Sequence, residues 1–418
     1  MELKVKKNSV TIIMIFMILM ENCFYLIDTN AIHITGAFAY SDIWLAGLCL
    51  YLGYQWIKYF RLKTECSFRN EVGILVGLIF ISAYQQMNLT GQSMTLGIRP
   101  QRNYLVILLA YFPLRKMFVS GKINSEELLD SMLKVGTFSA ALYLIQKLTI
   151  DHIQFLNVII NQRNGARFYV DSTLIQITAI IAIYRFGKSY RIKYFGSLII
   201  CILYEFFVSQ GRLEIMSVLV SVIIGFLMTR KMNRKKFLSI CGLILVVFAF
   251  LNSSYADDLW QSISTMGTAT VAQGNTMKIR LIGRVRYAEQ LTESFQTLIF
   301  GCGYPNMLYE PAALKAGYHL SIGLNDNGMY GFAYIYGLLG VAVIVLVSIK
   351  FLKRAYCIYK ANGNTIYLMY MILNICLAYN IIFWYWKSDG TFILVLMMCL
   401  LEQKFSEECV YLRGNQDG

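Results

Sequence analysis

With 418 residues, 57% of them hydrophobic and only 15% charged, and a mean hydropathy of +0.53, this chain is too apolar for a water-soluble domain; it reads as an all-α polytopic membrane protein whose main solvent is the bilayer. A net charge of +14 would suggest nucleic acid in a soluble protein, but here basic loops and anionic membrane lipid account for it, and no nucleic-acid partner is expected. The ten cysteines are scattered, mostly in apolar runs, without a CxxC or CxxxC pair, so neither disulfides, a metal cluster nor a cofactor is expected.

Crossing roughly 30 Å of hydrocarbon takes about 20 residues, fewer where the ends snorkel. Runs of that kind fall at 9–27, 38–57, 71–87, 103–119, 135–150, 170–187, 195–209, 213–229, 237–252, 328–349, 365–384 and 390–402, about twelve helices in one integral membrane domain. The first follows Lys4, Lys6 and Lys7 and lacks a small-residue cleavage site, which reads as an uncleaved helix with its N-terminus inside. Threading from there gathers the groups around Lys58–Arg69, Arg115–Lys134, Arg185–Lys193, Arg230–Lys236 and Lys350–Lys360 on the inner face, together with both termini. Of the 38 basic residues, 26 then lie inside and 12 outside, the bias of a multi-pass protein of the cytoplasmic membrane. The stretch 122–134 reads as an amphipathic connector at the cytosolic interface.

The outer face has one dominant feature, a loop over 253–327 between the ninth and tenth helices. It is too long to be structureless in a compact protein, and long ordered loops are usually functional. Within it, Arg286–Leu298 reads as a helix, and Gly301-Cys302-Gly303-Tyr304-Pro305 as the turn that stops it.

Eight of the twelve outer basic residues are arginines, against nine of twenty-six inside. Lysine suffices to anchor loops, whereas arginine offers a planar fork that grips phosphate with two hydrogen bonds. Arg163 and Arg167 precede the sixth helix; Arg212 closes the tight turn Ser209-Gln-Gly-Arg212; Arg280, Arg284 and Arg286 lie midway along the large loop. For any one of them, snorkelling to lipid phosphate is an equal alternative to a functional role. Arg212, held between two helices joined by four residues, reads as functional by default. If 284–287 is helical, Arg280 and Arg284 share a face and Arg286 points elsewhere. Asp326 and Asn327 precede the tenth helix, where Asp326 serves as an N-cap, as a base toward a sugar hydroxyl, or as both. His319 is a second candidate base, against ordinary loop packing, and Glu205 and Glu214 read as internal partners for arginines.

These segments resemble the Wzy-type bacterial polysaccharide polymerases and the related O-antigen ligases, mainly over 160–342. Gly165 and Phe168 stand just before a helix, Ser209–Arg212 forms a hairpin turn between helices, and Arg286 precedes Gly301-Cys-Gly303 by fifteen residues. Asp326-Asn327 is followed after eleven and fourteen residues by Gly337 and Gly340, the spacing at which the ligases carry a His-Asn pair; here aspartate replaces the histidine.

The resemblance implies a metal-independent glycosyltransferase that joins undecaprenyl-pyrophosphate-linked oligosaccharide repeat units into capsular or exopolysaccharide on the outer face. Arg212, Arg284, Arg286 and Asp326 would be catalytic. Arg163, Arg167, Arg280, His319 and Asn327 would bind substrate, with a flippase and a chain-length regulator as protein partners. A ligase moving finished polysaccharide onto a cell-surface acceptor is the nearest alternative. A transporter or flippase of the same lipid-linked sugars is the rival from another class, although the two halves of the chain show no repeat.

Overall fold

A computed structural model describes residues 2–29, 39–162, 166–170, 173–228, 276–378 and 387–414. It is mostly helical. In chain order come α1 (Glu2–Met20), α2 (Tyr40–Lys58), α3 (Arg69–Thr90), the short α4 (Met94–Ile98), α5 (Arg102–Leu109), α6 (Tyr111–Val119) and α7 (Ser125–Thr149). A small antiparallel hairpin follows, β1 (Ile159–Gln162) against β2 (Ala166–Tyr169) with Asn161 opposite Arg167, an exception to the all-α expectation. Then come α8 (Thr173–Ser189), α9 (Ile192–Tyr204), α10 (Arg212–Met228), α11 (Thr276–Thr292), α12 (Phe295–Phe300), α13 (Glu310–Ala316), α14 (Gly328–Asn362), α15 (Ile366–Leu377) and α16 (Ser388–Gly414).

Four helical stretches among the described residues are long and apolar enough to cross a membrane: Arg69–Thr90, Ser125–Thr149, Ile192–Ser209 and Asn325–Asn362. Shorter apolar helices cover Ser9–Met20, Leu213–Met228 and Ile366–Leu377, while the expected span at 237–252 lies outside the described residues. Large apolar side chains such as Leu50, Ile57, Phe138 and Leu148 are exposed on the helical surface. Water would penalise such a surface and lipid would not, so the chain is a membrane protein.

Helices that are apolar all round belong at the centre of a bundle. α8 is buried at every position from Thr173 to Ile183, and α16 from Asp389 to Glu402. The polar contacts at the helix ends sort into two sets. At one end Arg102 pairs with Asp42 at 2.6 Å and Tyr40 bonds the Leu19 carbonyl at 3.1 Å. At the other, Arg115 pairs with Glu402 at 2.8 Å, Lys350 with Glu71 at 2.6 Å, and Arg185 with Glu126 at 3.0 Å. Glu402 is a hub there, also accepting from the Ser67 and Phe68 amides and from the Tyr111 hydroxyl.

Three expected boundaries change. The 122–134 connector and the span at 135–150 are one helix, because Asn124 caps it by accepting from the Glu126 and Glu127 amides, and Leu128, Leu129, Met132 and Leu133 are buried. α1 stops at Met20 rather than 27, where the chain enters a turn with positive φ from Asn22 to Tyr25. The loop helix starts at Thr276, ten residues before 286, and breaks after Thr292, where Ser294 caps α12.

The Gly301-Cys-Gly303 turn returns into the bundle. α14 is interrupted at Gly337 (φ 65°, ψ −169°), which leaves preceding carbonyls without partners in their own helix. The Cys302 amide donates to the Tyr334 carbonyl at 2.6 Å and the Gly303 amide to that of Ile335 at 3.2 Å, so the turn satisfies what the break exposes. Gly303 (φ 87°) lies directly on the α3 backbone at Ser82, and any side chain there would strike that carbonyl. Gln92 holds the next stretch, donating to the Tyr304 carbonyl at 3.0 Å and accepting from the Asn306 amide at 2.8 Å. The described part of the large loop is thus pinned to α3 and α14, at the end of the bundle that carries Asp42 and Arg102. We call this the loop end.

Candidate functional site

The loop end brings α11 across the start of α14. Gly283 makes the crossing close, because an added Cβ would lie 2.7 Å from Ile322 and 2.9 Å from the Asn327 amide nitrogen. Asn327 is 1% exposed and donates from Nδ2 to the Gly323 carbonyl at 2.7 Å, which holds the 323–327 turn in shape. Arginines four apart on α11 then face this turn, as helical spacing requires. Arg280 Nη2 lies 3.4 Å from Asp326 Oδ1, and the Arg284 guanidinium stands 5.7 Å from the centre of the Tyr330 ring.

Asp326 does not cap α14. The residue in the cap position is Asn327, which makes no side-chain cap bond, and the Asp326 carboxylate turns to Arg280 instead. That ion pair is partly exposed, and such pairs contribute about 0–1 kcal/mol, so a phosphate group could displace the carboxylate at little cost. Tyr330, 43% exposed in the first turn of α14, escaped the sequence reading. Its signal was an aromatic residue in the first turn of the helix that follows Asp326-Asn327.

Arg286 points elsewhere. Its Nη2 donates to the carbonyls of Leu314 and Lys315 at 3.0 and 3.2 Å, and its Nε to Lys315 at 3.2 Å. Gln290 reaches the same Lys315 carbonyl at 2.9 Å, and the Tyr287 hydroxyl reaches that of Ala316 at 3.3 Å. These three side chains satisfy the carbonyls at the end of α13, so Arg286 anchors the loop and is not grouped with Arg284. His319 is exposed in the 318–320 turn. Cys302 is buried in the re-entrant turn, where burial pushes its thiol up to about 12.

A further arginine lies where the β-hairpin meets the turn between α9 and α10. Arg167 donates from Nε to the Ser209 carbonyl at 2.7 Å and sits 5.1 Å from the Tyr169 ring. Ser209 in turn donates to Glu214 at 2.6 Å, so Glu214 braces its own turn. Arg163 and the side chain of Arg212 lie outside the described residues; the Arg212 backbone opens α10. α15 relates this turn to the start of α14. Gly225 of α10 packs on Met369 of α15, and the Ala378 carbonyl just past α15 accepts from the Met329 amide at 3.2 Å. The start of α10 and the start of α14 are therefore both at the loop end.

The arrangement offers two cations on one helical face, a displaceable carboxylate between them and the next helix, and an exposed aromatic ring. Guanidinium groups suit phosphate oxygens, a carboxylate can accept a hydroxyl proton, and a tyrosine face can take a sugar ring. Compared with family models and with curated proteins, the chain matches none.

Proposed function

We propose that this protein is a polysaccharide polymerase of the bacterial cytoplasmic membrane, joining undecaprenyl-pyrophosphate-linked oligosaccharide repeat units at the loop end, on the outer face. The observation that carries the reading is the Arg280 and Arg284 pair, facing the Asp326–Tyr330 start of α14 from one side of α11. In this reading the chain crosses the membrane twelve times with both termini in the cytosol. Arg115, Lys116, Arg185 and Lys350 then stand at the cytosolic end, as the bias of positive loops requires.

The pyrophosphate of the growing chain takes Arg280 from Asp326 and adds Arg284, and the freed carboxylate faces the acceptor. A hydroxyl of the incoming unit attacks the anomeric carbon. The new C–O bond forms as the carbon–oxygen bond to pyrophosphate breaks, the electron pair leaves with the phosphate, and the hydroxyl proton passes to Asp326. The arginines stabilise the charge that develops on the leaving group, where preorganised electrostatics contribute most. Arg167 adds a cation at the loop end, Arg163 and Arg212 are the further arginines that the reading assigns to the anionic substrate, and Tyr330 carries a sugar.

The experiment is chain length in cells carrying Arg280→Ala with Arg284→Ala. Single repeat units should accumulate on lipid while the protein stays at its normal level in the membrane. Normal-length polymer in that variant would overturn the reading.

A further inference from the structure

At the end opposite the loop, a cavity of about 800 Å³ opens between the end of α2, the 59–68 connection and α6. Trp56, Thr64, Cys66, Arg69, Phe112 and Lys116 line it, and its size suits a small ligand or a lipid headgroup.

Lys116 gives the cavity its character. It is 7% exposed, its ammonium donates to the carbonyls of Tyr59 and Phe60, both at 2.9 Å, and it lies 4.4 Å from the centre of the Trp56 ring. An ammonium has three donors, and these bonds use two. Among the described residues no carboxylate lies within ion-pair distance of it; Glu402, the buried carboxylate of that end, is taken by Arg115 and Tyr111. A buried cation held only by neutral groups is costly unless an anion joins it. Arg69 brings a second cation to the same cavity, and Glu65 a single carboxylate. One positive charge is left over.

The surroundings define the anion. Trp56 and Phe112 meet edge to face at 6.3 Å beside the cavity, and Ile57 and Phe60, on the same stretch of chain, are exposed apolar residues that suit acyl chains. Aromatic rings at a helix end mark the depth of lipid headgroups. We propose that the cavity binds the phosphodiester headgroup of an anionic phospholipid, with Lys116 and Arg69 on the phosphate and Trp56 and Phe112 against the glycerol. The single excess positive charge matches one phosphodiester. This site is separate from the loop end and stands whether or not the loop end makes polymer.

The test uses the purified full chain in detergent, with phosphatidylglycerol or phosphatidylcholine added at equal concentration. Native mass spectrometry should retain phosphatidylglycerol selectively, and only that lipid should raise the thermal midpoint. Lys116→Gln should weaken retention about tenfold or more, the loss of a hydrogen bond to a charged group. Thr64→Glu leaves Lys116 in place and supplies a competing carboxylate inside the cavity, so it should release the lipid without loss of fold; it carries the test if Lys116→Gln fails to accumulate. Equal retention of the two lipids, or undiminished phosphatidylglycerol on Thr64→Glu, would overturn the proposal. An equal thermal shift from millimolar inorganic phosphate would assign the site to a free anion and overturn the lipid reading.

Discussion

Replacing Gly283 by alanine adds one methyl group where α11 lies closest to the 322–327 turn. The new Cβ would approach Ile322 Cγ2 to 2.7 Å and Asn327 Nδ2 to 2.9 Å. Neither neighbour can easily step aside, since both are buried and the Asn327 amide is already tied to the Gly323 carbonyl. Overpacking of this kind costs about 1–3 kcal/mol. Alanine recovers about 0.8–1.0 kcal/mol as the better helix former. The net cost of roughly 0–2 kcal/mol leaves the fold standing but pushes α11 off the turn, and Arg280 and Arg284 move with it. A displacement of about 1 Å at a site of this kind can lower the rate by as much as ~10²-fold. The assay is polymer formed per minute by purified protein from lipid-linked repeat units, with the thermal midpoint measured on the same sample. Gly77→Ala on α3, where a Cβ meets open space, is the control and should keep its rate. A Gly283→Ala protein with full rate would refute the argument that this close approach aims the arginines.

Asp326→Asn separates a base from a bystander: the structure assigns it no capping duty, so the variant should accumulate normally and leave unpolymerised units on lipid, and retained chain length would remove Asp326 from the chemistry. Glu402→Ala leaves the buried Arg115 without its counter-charge and the Ser67 amide without its acceptor, and the expected loss is about 3–5 kcal/mol, read as a lower thermal midpoint in detergent; an unchanged midpoint would contradict the hub. The Cys302 thiol, raised by burial from 9.0 to about 12, should resist maleimide in the folded protein at pH 8. Because the folded state holds that proton more tightly, the stability it contributes is fully present below pH 9 and is lost as the pH rises toward 12. Labelling at pH 8 as fast as in denaturant would show the re-entrant turn to be open.

Long apolar runs are the most legible part of the sequence, since hydropathy alone marks α3 and the centre of α16. Windowed hydropathy failed where local chemistry set the boundary. Asn124-Ser-Glu-Glu is a helix start that the apolar count passes over, so α7 lost its first ten residues to a connector. The hairpin flanks Asn164-Gly165, a dipeptide typical of tight strand turns, but its four-residue strands are too short to stand out by alternation. In the site, helical spacing alone puts Arg280 and Arg284 on one face and Arg286 off it. No local pattern could reveal that Arg286 caps α13 or that Gly283 touches Asn327, because both depend on contacts between segments far apart in the chain. The break at Gly337 is equally hidden, since glycine inside an apolar helix is ordinary in membranes.

The central claim is that guanidinium forks at the loop end hold a lipid-linked pyrophosphate during glycosyl transfer. Its most direct test compares wild type with Arg284→Lys in purified form, counting undecaprenyl pyrophosphate released against glycosidic bonds formed. The lysine keeps the charge but not the two-pronged geometry. The expected result is one pyrophosphate lipid released per new linkage by the wild type, and a rate at least about tenfold lower for Arg284→Lys at an unchanged thermal midpoint. Linkage formation at the wild-type rate by the folded lysine variant, or no release of pyrophosphate lipid by the wild type, would contradict it.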